Sequence, residues 1–117
     1  MTRLILAALL ALCAAPALAQ QAGTYVLEGR GRDGAVYQGE VQFKPVGPEV
    51  WQVTWRTGSG VTQGLALRQG SRLAVGYVSR QGETGVALHE LQRDGTLTGS
   101  WTQGGSGARG QERLYPR

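Results

Sequence analysis

Apolar and polar residues trade places at every second position along most of this chain. Tyr25, Leu27 and Gly29 alternate with Val26 and Glu28, and Tyr37, Gly39, Val41 and Phe43 alternate with Gln38, Glu40, Gln42 and Lys44. Trp51, Val53 and Trp55, then Leu73, Val75 and Tyr77, then Leu97, Gly99 and Trp101 repeat the pattern. A period of two belongs to an extended strand with one face buried. No 3.6-residue period persists for three turns, and the 19 glycines oppose long helices. Turn signals fall at a near-regular beat. Arg32-Asp33-Gly34, Arg68-Gln69-Gly70, Arg80-Gln81-Gly82 and Arg93-Asp94-Gly95 are variants of one punctuation mark, and Gly47-Pro48, Thr57-Gly58-Ser59-Gly60 and Gly104-Gly105-Ser106-Gly107 supply the rest. The centres near 34, 47, 59, 70, 82, 95 and 105 predict eight strands, over 23–31, 35–44, 50–57, 61–68, 72–79, 84–92, 96–103 and 109–115. Short loops throughout make this an all-β, antiparallel up-and-down meander, and eight strands close well into a small barrel without edges. A two-sheet sandwich is the rival, but a Greek key needs a longer connection than any present.

On the common inward face the alternation places Tyr25, Leu27, Tyr37, Val41, Phe43, Trp51, Val53, Trp55, Leu65, Leu67, Leu73, Val75, Tyr77, Leu97, Trp101 and Leu114, with Gly39 and Gly99 making room for the rings. The expectation is that these rings fill the barrel; the alternative is that they line a cup at one mouth and stack on a ligand. In the second case Trp51, Trp55, Tyr77, Trp101 and Glu112 are the ligand-binding candidates. Strand six reads two ways, and the choice that buries no charge turns Gly85, Ala87, His89 and Leu91 inward. His89 is the one histidine, which suits a hydrogen-bonded packing role better than a metal site. Glu112 falls inward between Gly110 and Leu114 and requires a partner or a raised pKa, with Tyr37, Tyr77 or the Trp101 indole as candidates.

Composition changes the picture at the N-terminus. Arg3, the apolar run Leu4–Leu12 and Ala17-Leu18-Ala19 have the three parts of a secretory signal, so residues 1–19 read as a leader and 20–117 as one domain. The apolar run is too short to span a membrane. Leu12 is a poor residue before Cys13 for lipoprotein processing, and cleavage after Ala19 removes Cys13, the one cysteine. The mature domain then relies on hydrogen bonding and packing in a compartment where small domains often need cross-links. The formal charge of +4 falls to +3 without Arg3, and the positive residues are scattered with no basic stripe, so nucleic acid is not an expected partner.

Little here suggests catalysis. A nucleophilic triad would have His89 as its sole base, and no Gly-x-Ser-x-Gly, phosphate loop or zinc spacing occurs. Gly29-Arg30-Gly31-Arg32-Asp33-Gly34 leads from strand to strand and lacks the helix that makes a phosphate loop work. The expectation is a protein without enzymatic activity or cofactor.

Tyr37-x-Gly39-x-Val41, Val53-x-Trp55, Leu73-x-Val75-x-Tyr77, Gly85-Val86, Asp94-Gly95-x-Leu97-x-Gly99-x-Trp101 and Gly110-x-Glu112 together resemble a group of small exported bacterial proteins, some labelled fibronectin-binding. The sequence departs from that pattern at His89, where an aromatic such as Tyr would stand. The resemblance implies a calycin-like barrel of avidin or lipocalin architecture and assigns no binding residue. The resulting expectation is a periplasmic or secreted binding module for a protein or small ligand. A host-matrix adhesin, as the family label implies, and an inhibitor of a cell-wall enzyme such as lysozyme are the alternatives. The net positive charge opposes the inhibitor, because lysozymes are usually basic.

Overall fold

Period-two alternation becomes a closed surface when every strand finds a partner on both sides. In the computed structural model, which describes residues 22–117, eight strands do so: β1 (Gly23–Arg30), β2 (Val36–Gly47), β3 (Val50–Thr57), β4 (Gly60–Gln69), β5 (Arg72–Val78), β6 (Thr84–Leu91), β7 (Leu97–Gln103) and β8 (Arg109–Pro116). They form one closed barrel in sequence order, and every pair is antiparallel. The leader and Cys13 lie outside the described residues. Among the described residues no helix is long and apolar enough to cross a membrane.

The turns explain the register. Arg32-Asp33-Gly34, Arg80-Gln81-Gly82 and Arg93-Asp94-Gly95 fold alike, with the glycines at φ 83, 83 and 87°. Each glycine N–H donates three residues back, to Gly31, Ser79 and Gln92, at 2.9–3.0 Å. A left-handed residue closing a three-residue hairpin loop is the reason for glycine there. The fourth mark behaves differently. Gln69 pairs directly with Arg72, so Gly70 and Ser71 make a two-residue loop. The Pro48-Glu49 loop is also two residues long, and Glu49 takes a left-handed φ of 58° that costs an ordinary side chain about 1 kcal/mol. Arg68 steadies that corner, donating Nε to the Glu49 carboxylate at 2.7 Å and its backbone N–H to the Glu49 carbonyl at 3.0 Å.

The core is continuous along the barrel axis. Tyr25, Leu27, Val41, Phe43, Trp51, Val53, Leu73, Val75, Leu97 and Leu114 are buried as the alternation requires. Strand six turns Gly85, Ala87, His89 and Leu91 inward. Strand four is a correction. Leu65 and Leu67 point outward at 60% and 55% exposure, and Ala66 is buried in their place. The reason is register: the tight loop pairs Thr57 with Gly60, which sets Trp55 opposite Thr62, Val53 opposite Gly64 and Trp51 opposite Ala66. Cross-strand partners share a face, so three small residues go inward beside the two tryptophans. Gly39 is a second correction, because its inner side is closed by the Arg56 backbone and not by a ring.

The turns β2–β3, β4–β5 and β6–β7 crown one end of the barrel, which we call the base. There Tyr25 meets Phe43 edge to face at 5.2 Å, with Trp51 and Leu91 buried nearby in the same core. The other four turns surround the mouth.

Candidate functional site

The site is built from one row of residues that crosses five strands, rising from the base side on β6 and β7 to the mouth on β1 and β2. In register, His89 on β6 opposes Gly99 on β7, Gly99 opposes Glu112 on β8, Glu112 opposes Gly29 on β1, and Gly29 opposes Tyr37 on β2. Large and absent side chains thus alternate around the wall. The Tyr37 ring lies over Gly29 and the His89 ring over Gly99, in space that a Cβ would occupy. Side chains two strands apart therefore meet. Tyr37 donates its hydroxyl to Glu112 Oε1 at 3.0 Å, and His89 Nε2 lies 2.8 Å from Oε2. The Trp101 indole donates to the Tyr37 hydroxyl oxygen at 2.8 Å.

Burial sharpens the electrostatics. Glu112 is 8% exposed and His89 1% exposed. A carboxylate in such a place is costly unless its oxygens are hydrogen-bonded, and both are. In its Nε2–H tautomer His89 donates to Glu112, and Nδ1 has no hydrogen-bond partner. The carboxylate reaches further through its field. Burial, then the charge of Glu112, push the Tyr77 phenol up to about 12. The same two causes, followed by the direct hydrogen bond to Glu112, raise the Tyr37 phenol further still.

Above this row the mouth is hollow. A cavity of about 290 Å3 opens between the loops, walled by Tyr37, Trp55, Tyr77 and Trp101, with Glu112 and Leu27 among its lining. Trp55 and Tyr77 tilt toward each other with centroids 5.4 Å apart, and Tyr37 and Trp101 meet edge to face at 6.4 Å. The same large-over-glycine device holds two of these rings: Tyr77 covers Gly85, and Trp101 covers Gly110. These are register partners, so each ring is braced by the neighbouring strand and turned along the wall. Thr57, Ser59, Thr62 and Gln103 supply polar groups at the rim.

Of the five candidates, Trp55, Tyr77, Trp101 and Glu112 come together around this cavity. Trp51 does not, because it lies four residues down β3 toward the base, within the core. Tyr37 is the aromatic wall absent from the candidate set, although its inward parity pointed to it, and the rim residues Thr57, Ser59, Thr62 and Gln103 carried no signal of their own. Among the possible partners of Glu112, Tyr37 bonds directly, Trp101 connects through the Tyr37 hydroxyl, and Tyr77 is coupled by charge alone. His89 as the second partner became visible only with the β6–β7–β8 register. Among the described residues no group of three or more His, Cys, Asp or Glu side chains converges as a metal site.

No family model matches the chain, and no curated protein matches it. Solved β-barrels do. EF1p2_mFAP2b bound to DFHBI superposes with a TM-score of 0.70 at 17% identity, covering 88% of this chain and 100% of the other. The redesigned barrel mFAP1, also bound to DFHBI, gives 0.69 at 17% identity over 87% and 100% of the two chains. A de novo designed fluorescence-activating β-barrel gives 0.63 at 16% over 88% and 99%. At such identities the likeness is one of fold: this chain is a small closed antiparallel β-barrel.

Proposed function

We propose that this protein is an exported, noncatalytic barrel that holds a small ligand in its mouth. The observation that carries this reading is the cavity of about 290 Å3 with four aromatic walls over a buried carboxylate. It lies at the lower edge of the ~300–1,000 Å3 typical of small-molecule sites, and it has their composition, mostly apolar with a few placed polar groups. Two barrels of similar fold are described with the small molecule DFHBI bound, which supports the capacity of such an architecture to hold one. Export rests on the leader at residues 1–19. The noncatalytic reading is supported by the sequence, which offers His89 as the one histidine, and by the position of that side chain outside the cavity lining. The test is occlusion. Thr62→Phe places a ring in the mouth, so a compound that raises the thermal midpoint of the wild type should leave this variant unmoved. Equal shifts in both proteins would refute binding in the mouth.

A second reading, a protein partner, is favoured by the outer face of β4–β6. Leu65, Gly76 and Val86 form one register row there, and Leu67, Ala74 and Leu88 form the next. The four larger side chains are each more than half exposed. Contiguous apolar surface of this kind marks interaction sites. The adhesin reading would use such a face, and its remaining support is the resemblance of the short motifs.

A further inference from the structure

The mouth cavity has a sign as well as a size. Its lining contains one charged side chain, Glu112, and no arginine or lysine. The donors nearest that carboxylate are already used: Tyr37 donates to Glu112, and Trp101 donates to Tyr37. An anion entering the cavity would meet a carboxylate with no free N–H beside it. A cation would meet that same carboxylate and the faces of Trp55, Tyr77, Trp101 and Tyr37, whose quadrupoles present negative charge to the cavity. The field of Glu112 is felt at the hydroxyls of Tyr37 and Tyr77, on opposite walls. Outside the cavity Arg30, Arg56 and Arg109 sit on the outer wall at the mouth ends of β1, β3 and β8, pointing away from the lining. Arg32 and Arg80 stand with Asp33 and Glu83, and the two guanidinium groups are engaged, with Ser106 Oγ at 3.2 Å and the Ser59 carbonyl at 2.7 Å. His89 sits behind Glu112, away from the lining. Its Nε2 lies 2.8 Å from one carboxylate oxygen and leaves the other side of Glu112 to the cavity.

We propose that the cavity selects a small organic cation: an ammonium on a flat apolar body of on the order of ten non-hydrogen atoms, with Glu112 as counter-charge and the aromatic walls as its cage. This rests on the ligand-binding reading above and gives it a chemical class. Cavity volume limits the body to one ring and its substituents. The carboxylate at the inner end directs the charged head inward, and the rim hydroxyls remain for the outer end.

The experiment compares three probes on the full chain: phenyltrimethylammonium, its neutral carbon isostere tert-butylbenzene, and benzoate, a planar anion of similar size. Binding is read from tryptophan fluorescence in the Trp51→Phe variant, which retains the two cavity tryptophans as reporters, and is confirmed by the thermal midpoint of the wild type. The cation should bind about tenfold more tightly than the isostere and keep most of that advantage in 0.5 M salt, because the carboxylate is buried. In Glu112→Gln the cation should fall to the level of the isostere, whose own affinity stays within twofold. The wild-type ratio needs no variant, so instability of Glu112→Gln does not spare the proposal. Equal binding of the cation and the isostere, or preference for benzoate, overturns the cation class and leaves a ligand-binding barrel standing. No binding by the cation at millimolar concentration also overturns it, and the Thr62→Phe occlusion test decides separately whether the mouth binds anything.

Discussion

The His89–Glu112 contact can be weighed by removing one end and then both. In Glu112→Leu two donors lose a charged acceptor, Tyr37 at 3.0 Å and His89 at 2.8 Å. Tyr37 borders the open cavity and can turn to water, so its loss is about 1 kcal/mol. His89 is 1% exposed, and its Nδ1 already lacks a partner, so the ring would be left with no polar contact. An unsatisfied buried donor costs about 1–3 kcal/mol. The expected loss is therefore roughly 2–4 kcal/mol, a fall of on the order of 10–25 °C in thermal midpoint for a domain of this length. Glu112→Gln should lose less, because an amide keeps one acceptor for Tyr37 or His89 and a hydroxyl or the other ring tautomer can meet its NH2. Replacing both ends, as in His89→Leu with Glu112→Leu, removes the need for either partner. The double variant should then be more stable than the sum of the singles by about 1–3 kcal/mol. Chemical denaturation of the four proteins measures this coupling. Strict additivity, or a loss below about 0.5 kcal/mol in Glu112→Leu, would refute the view that the carboxylate is held by these two donors.

Other consequences are open to measurement. Tyr37 and Tyr77 hold their protons more tightly in the folded chain than at the ordinary phenol value of 10.0, chiefly through burial and the Glu112 charge. Such groups add stability that is complete below pH 10 and is lost as pH rises toward the folded values, Tyr77 reaching about 12. Midpoints followed from pH 9 to 12 should therefore fall with at most ~1.4 kcal/mol per pH unit from each phenol, and more gently in Tyr37→Phe. Leu65→Ser and Leu67→Ser should change stability by no more than about 0.5 kcal/mol, while Leu27→Ala, in the fully buried core, should cost about 2–5 kcal/mol. A cost at Leu65 or Leu67 as large as that at Leu27 would put β4 in the other register. Gly85→Val would drive a side chain into the Tyr77 ring and should cost about 1–3 kcal/mol, with part of the loss recovered by adding Tyr77→Ala. An undiminished loss in the double variant would mean that the glycine serves the backbone and not the ring.

Alternation and turn chemistry are local properties, and they carried most of the architecture. The strand count, the meander order and the inward parity of β1, β2, β3, β5, β7 and β8 follow from a period of two broken at glycine turns. They are visible at Trp51-x-Val53-x-Trp55 and Arg93-Asp94-Gly95 in the bare sequence. Apolarity alone misplaced β4, where Leu65 and Leu67 look like core and a two-residue loop turns them outward. A one-residue choice of face is decided by pairing with β3 and β5, and pairing is not local. The inward position of Glu112 was legible for the same reason that the strands were. Its partnership with His89 was not, because 23 residues and two strand registers separate the two side chains. The aromatic set was legible too, but whether it plugged the barrel or lined a cup was decided by closure. Closure set Trp51 at the base, left Trp55, Tyr77 and Trp101 at the mouth, and used glycines on adjoining strands to turn the rings against the wall. Strands follow from what each residue prefers next to its neighbours in sequence. A cavity exists only where volumes contributed by distant strands fail to sum to a full interior, and that balance is struck by the barrel as a whole.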